Sequence, residues 1–186
     1  LKLCPNNPSI CALVAWLNLT RGNVDRASEV AATGTELFKF WPDLLTVRGL
    51  TLEHQDELKE SLRILKEAFD RSEYHSGYYW QNLLIGLGKV CLRLGDREQA
   101  EHWFALATHE GVSEWFINGT KARALLASGE INEAISFQER VVAAVPDKTA
   151  EWVQLADLYM MTEANARAVE ALRKAGSLSP DDRAIL

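Results

Sequence analysis

Cations are in short supply in this chain. Twenty lysines and arginines face 26 aspartates and glutamates among 186 residues, leaving a formal charge of −6. Nucleic-acid affinity draws largely on clustered Lys and Arg, so this balance argues against an extended phosphate-binding surface and against nucleic acid as a partner. Long apolar runs are lacking too. No stretch of about 18 uncharged apolar residues is present, which leaves nothing long enough to insert in a membrane as a spanning helix. Cysteine is scarce: Cys4, Cys11 and Cys91 form no Cys-x-x-Cys pair and stand in no Cys/His cluster with zinc spacing. A reducing, cytoplasmic setting without a bound metal is therefore expected. Asn18-Leu19-Thr20 and Asn118-Gly119-Thr120 match the glycosylation acceptor pattern, but both fall inside helical patterns and read as chance matches.

What the chain does have is apolar residues, 47% of the total, enough for a folded core. They are organised by a repeat. Ala100, Ala134 and Ala168 stand 34 residues apart, as do Gly95 and Gly129, Pro8 and Pro42, and Pro146 and Pro180. Around these markers apolar residues recur at three- and four-residue spacing, broken by short polar turns such as Arg21-Gly22-Asn23, Gly95-Asp96 and Ser128-Gly129-Glu130. Glycine suits the end of a helix because it adopts the left-handed conformation at little cost, and Pro-Asp suits the start of the next. The pattern predicts ten helices in five pairs: 8–20 with 24–39, 42–54 with 57–71, 77–94 with 97–109, 113–127 with 131–144, and 148–161 with 165–176.

The last pair carries Trp152, Leu155, Ala156, Tyr159, Ala168, Leu172, Ala175 and Pro180 in a spacing that resembles the tetratricopeptide repeat signature. Leu84, Leu87, Gly88, Cys91, Ala100, Phe104 and Ala107 match it in the third pair, and Leu45, Gly49, Leu52, Ser61, Leu65 and Ala68 in the second. Small residues let the paired backbones approach while bulky neighbours fill the flanking grooves. The fourth copy departs from this with Asn118, Lys121 and Gln138, the first with Asn18, and less regular packing is expected there. The resemblance implies an all-α fold, a right-handed α-solenoid of about five antiparallel helix pairs. It covers one array over 1–186, with repeats at about 8–41, 42–76, 77–112, 113–147 and 148–181. Segments 1–7 and 182–186 read as remnants of flanking repeats in a longer array, and five extra residues between the second and third copies fall within Asp70 to Gly77.

Catalysis requires convergent titratable groups. His54 and His75 lie near helix ends or in the extra segment, His102 and His109 are seven apart on one helix without a repeating acid or cysteine, and Gly86-Leu87-Gly88 sits mid-helix. These patterns give no enzyme centre and no cofactor site. The resemblance instead implies that first helices line a concave groove receiving a peptide or a partner helix. Carried onto this sequence, the groove positions are Ser9, Ala12, Trp16 and Leu19; Thr46, Leu50, Glu53 and His54; Asn82, Ile85, Lys89 and Arg93; Phe116, Arg123 and Leu126; and Val153, Asp157, Met160 and Met161. Lys89, Arg93 and Arg123 make a basic middle suited to an acidic peptide with apolar anchors. Those cations are equally accounted for by pairing with Glu53 and Asp157. Trp16 and Leu50 stand where a clamp for C-terminal carboxylates would need polar residues, which speaks against a cochaperone role. Three functions stay open: an interaction scaffold, the substrate-recruiting arm of an enzyme such as a glycosyltransferase, or a structural and self-associating module using Trp16, Trp41, Trp80 or Trp115.

Overall fold

The computed structural model describes residues 6–72 and 78–179, and the regular structure within them is entirely helical. The helices are α1 (Pro8–Thr20), α2 (Val24–Leu37), α3 (Pro42–His54), α4 (Leu58–Arg71), α5 (Tyr78–Arg93), α6 (Arg97–His109), α7 (Glu114–Ala127), α8 (Ile131–Ala144), α9 (Thr149–Met161) and α10 (Asn165–Leu178). Each lies within two residues of its expected limits. Most of the expected extra segment, and both end remnants except Asn6 and Asn7, lie outside the described residues. Among the described residues, no helix is long and apolar enough to cross a membrane.

The turn inside each pair has one geometry. Gly22, Asp56, Gly95, Gly129 and Glu163 all have positive φ, between 58° and 83°. After α1, the Gly22 amide donates to the Leu19 carbonyl at 3.0 Å and the Asn23 amide to Asn18 at 2.9 Å, which closes the helix with two bonds. The same two bonds recur after α3, α5, α7 and α9, for example Gly129 to Leu126 at 3.0 Å and Glu130 to Leu125 at 2.8 Å. Three of the five turns use glycine at the left-handed position. Asp56 and Glu163 hold the same conformation with a Cβ, which costs energy.

Packing within a pair turns on a small residue of the first helix. At Gly49, an added Cβ would lie 2.6 Å from the Leu65 side chain, and at Gly88 2.8 Å from the Phe104 ring. Leu65 and Phe104 thus occupy space that only a missing side chain provides. The close approach also lets Ser61 Oγ donate to the Gly49 carbonyl at 2.7 Å across the α3–α4 contact. In the fourth pair the equivalent bulky position is Gln138, which is buried. Its amide donates to the carbonyl of Glu151 at 3.1 Å and to the carboxylate of Glu151 at 2.9 Å, so the polar residue expected to loosen this copy is hydrogen-bonded instead.

The chain divides into two compact units, Leu1–Glu110 and Gly111–Leu186. In the first, Cys11, Ala12 and Leu44 form one core cluster and Ala15, Val30, Ala31 and Val47 another, and Tyr79 of α5 packs against both. In the second, Ile117, Leu125, Ala134, Val141, Leu155, Tyr159 and Ala175 are buried. Asn118 is buried, and the Asn18 amide donates to the Val14 carbonyl at 2.8 Å, so both acceptor matches are ordinary helix residues. Cys11 is disulfide-bonded and Cys91 is a buried free thiol.

Two substitutions test this packing by urea unfolding. Glu163, exposed and left-handed, should gain about 0.5–1 kcal/mol as Glu163→Gly, since relief of the Cβ clash outweighs the added chain entropy. Ala168, buried in the fifth pair, should lose about 1–3 kcal/mol as Ala168→Leu by overpacking. An unchanged midpoint in either would contradict the geometry.

Candidate functional site

In the first unit the expected basic lining is already engaged. Glu53 at the end of α3 is buried, with 3% of its side chain exposed, and accepts from two residues of α5. Lys89 Nζ reaches its Oε2 at 2.7 Å and Arg93 Nη1 its Oε1 at 2.5 Å. Arg93 also donates to the Glu53 carbonyl at 3.1 Å and to Asp56 Oδ1 at 2.5 Å. Burial is the largest influence on Glu53 and raises its pKa, but Lys89 and Arg93 outweigh it and hold the carboxyl below its ordinary value. Two cations meet two carboxylates, so Lys89 and Arg93 form a neutralised brace between α3 and α5. His54 beside them is solvent-exposed, yet partial burial of its ring and the field of Lys89 keep its pKa below the usual imidazole value, against the pull of Glu53.

The remaining positions of this unit divide by packing. Trp16 is half-buried and sets its ring edge against Tyr79, with centroids 6.1 Å apart. Leu50 is half-buried, with Cδ2 2.5 Å from where a Cβ on Gly86 would stand, so it fills the α3–α5 contact. Ala12, Leu19 and Thr46 are buried. α1 packs on both α2 and α3, which turns more of its circumference inward than a single partner would. Of the tryptophans expected as contacts, Trp80 is buried, Trp16 is half-buried, and Trp115 is half-buried with Lys148 Nζ 3.8 Å above its ring; Trp41 is the exposed one.

In the second unit the structure brings Arg123 of α7 and Asp157 of α9 to one cavity of about 190 Å³. Leu126, Leu158 and Met161 supply its apolar wall, and Gln138 and Gln154 its amides. Among the described residues Arg123 makes no ion pair, and its contact is a long hydrogen bond to Thr120 Oγ1 at 3.4 Å. Arg123 is exposed as a residue, yet partial desolvation of its guanidinium lowers its pKa against the field of Glu151, and the group stays charged throughout the working range. Asp157 is exposed beside it. Met160 is exposed on the same helix, and Phe116 is exposed on α7 with its ring edge-on to Trp115 at 5.8 Å. Gln154 and Leu158 were not among the expected groove positions, because helix phase read from one repeat does not fix which flank of α9 faces α7.

Neither a protein-family model nor a curated protein matches the chain. Solved structures do. A tetratricopeptide repeat protein from Parabacteroides merdae superposes with a TM-score of 0.64 at 19% identity, covering 94% of this chain and 66% of that one. The Cut9 and Hcn1 hetero-tetramer of the APC/C matches at 0.58 and 16%, over 92% of this chain and 33% of the other. YrrB, a tetratricopeptide repeat protein with an unusual peptide-binding site, matches at 0.50 and 19%, over 92% and 85%. At these identities the likeness is one of fold, and the fold of this chain is the tetratricopeptide-like, all-α helical-repeat solenoid.

The brace around Glu53 predicts an acid-sensitive stability term. Its folded pKa lies below the ordinary carboxyl value of 4.5, so the stabilisation is fully present above that pH and is lost as pH falls through the lower, folded value. Glu53→Gln should cost about 3 kcal/mol at pH 7 by stranding Lys89 and Arg93, and the gap to the unsubstituted protein should narrow towards pH 3. Urea titrations at three pH values check this; a constant gap would contradict it.

Proposed function

We propose that the chain is a protein-interaction scaffold whose peptide-binding site is the Arg123 cavity of the second unit. The observation that carries this reading is an arginine with donors to spare, set over an apolar wall. A guanidinium presents five N–H groups in a planar fork that fits a carboxylate through two parallel bonds. The cavity, about 190 Å³, suits one or two side chains of a larger ligand rather than a whole small molecule. The ligand is therefore a peptide with an acidic side chain or terminal carboxylate next to an apolar anchor, the anchor resting on Leu126 and Met161. Asp157 on the rim disfavours a second acid and favours a basic or amide group after the anchor. The peptide-binding site of the similarly folded YrrB adds support at the level of fold. Lys89 and Arg93, expected to share this role, are left out of it because Glu53 already holds them.

A second reading, association with a further chain or copy, is favoured by one observation. Ile10, Leu13 and Leu17 lie on one face of α1 at 47%, 49% and 42% exposure. Sedimentation velocity over a range of concentrations tests it, and a concentration-independent monomer would leave self-association without support.

An arrayed peptide library tests the first reading, with Arg123→Glu as the paired variant. Acidic peptides should bind, and the reversal should weaken them about 10- to 100-fold, the worth of a charge-assisted hydrogen bond. Equal binding by both proteins, or a preference for basic peptides, would overturn the assignment.

A further inference from the structure

The connection between α2 and α3 reads Phe38-Lys39-Phe40-Trp41-Pro42-Asp43, and it leaves two large aromatic side chains in solvent, Phe40 at 65% and Trp41 at 40% exposure. Beside them the first unit has a cavity of about 390 Å³. Phe40, Trp41, Tyr79 and Trp80 are among its lining residues; Phe40 and Trp41 are the exposed pair, while Trp80 is buried and stacked on Phe69 with centroids 5.3 Å apart. Among the described residues two charged ones, Asp43 and Arg71, line it as well. Arg71 lies with Cζ 4.4 Å from the centre of the Phe40 ring, and its charge is met by Glu67 at 3.1 Å. Asp43 is different. Burial raises the pKa of its carboxyl and a hydrogen bond from the Trp41 side chain lowers it, and among the described residues it makes no ion pair.

We propose that this pocket is a binding site for an alkylated ammonium group, held by the aromatic rings and balanced by the Asp43 carboxylate. Aromatic faces carry negative electrostatic potential and attract cations, most strongly when the cation is poorly hydrated. Rings offer little hydrogen bonding to replace the shell of water around a bare ammonium, whereas a methylated one has less to lose. Arg71 over Phe40 shows the same chemistry within the protein: a delocalised cation resting on an aromatic face at the rim. Among the described residues of the lining Asp43 is the one carboxylate, and it distinguishes the site from a purely apolar cavity. This site lies in the first unit and is separate from the Arg123 cavity, and it selects the opposite charge.

The test uses two isosteric probes, choline and neutral 3,3-dimethylbutan-1-ol, titrated into the whole chain while the tryptophan indole N–H signals are followed by NMR. Choline should shift the Trp41 and Trp80 signals saturably and bind at least about tenfold more tightly than the neutral probe. Asp43→Asn should remove about that tenfold preference, and Arg123→Glu should leave choline binding unchanged. Should Asp43→Asn fail to fold, as judged by circular dichroism, Trp41→Phe serves in its place and should weaken choline more than the neutral probe. Equal affinity for the two probes would overturn the proposal in favour of an unselective apolar cavity. Absence of any saturable shift up to about 50 mM choline would overturn it outright. Neither result bears on the Arg123 site, whose peptide assay is independent.

Discussion

The contact on which the structure depends is the approach of two helix backbones at a small residue, glycine in the second and third pairs. Leu65 over Gly49 and Phe104 over Gly88 fill the space that a Cβ would otherwise hold. Bringing the axes this close exposes main-chain carbonyls of the first helix to the second, and Ser61 makes use of one. Once the crossing is fixed, the turn joining the helices must reverse the chain within a few residues. A single left-handed residue with two carbonyl-capping bonds achieves this, and it recurs in all five pairs. The 34-residue period is therefore a consequence of packing distance more than of any one residue type.

Charge is distributed according to how much of it the fold consumes. In the first unit a buried carboxylate has drawn two cations inward, and the helices they join are held by ions that solvent no longer screens effectively. Such a triad stands only while all of its members are present, because any one of them alone would be a desolvated charge. In the second unit Arg123 has been left with a weak hydroxyl contact and an exposed carboxylate nearby. The same residue type thus serves as internal bracing at one repeat and as an available donor at another.

The helices were legible because their limits are written in local chemistry. Pro8 and Pro42 open helices where no amide donor is needed, and Gly22, Gly95 and Gly129 close them. Asp56 and Glu163 carry no such mark, and their turns show in the sequence only as the short polar breaks Gln55-Asp56 and Thr162-Glu163. The site was less legible. Lys89 and Glu53 lie 36 residues apart, and whether the lysine turns to the carboxylate or to solvent depends on the depth at which α3 and α5 meet. Leu50 reads as an open groove residue until Gly86 is seen to receive it. The aromatic pocket was missed because its walls come from a loop, a helix end and a helix start, with no shared periodicity. The disulfide at Cys11 was equally hidden, since an odd count of cysteines at irregular spacing fixes no pairing.

Repeat proteins of this architecture are often treated as strings of exchangeable modules, each needing only an apolar face from its neighbour. The hydrogen bonds of Gln138 to Glu151 and the brace of Glu53 with Lys89 and Arg93 limit that freedom. Each runs from one helix pair to the next in the chain and requires a particular polar partner there. A transplanted pair lacking that partner would bury an unmet amide or an unmet charge. The order of repeats is thereby encoded at two of the junctions, so shuffling or duplication of units would be selected against at those points and tolerated better at junctions of purely apolar contact.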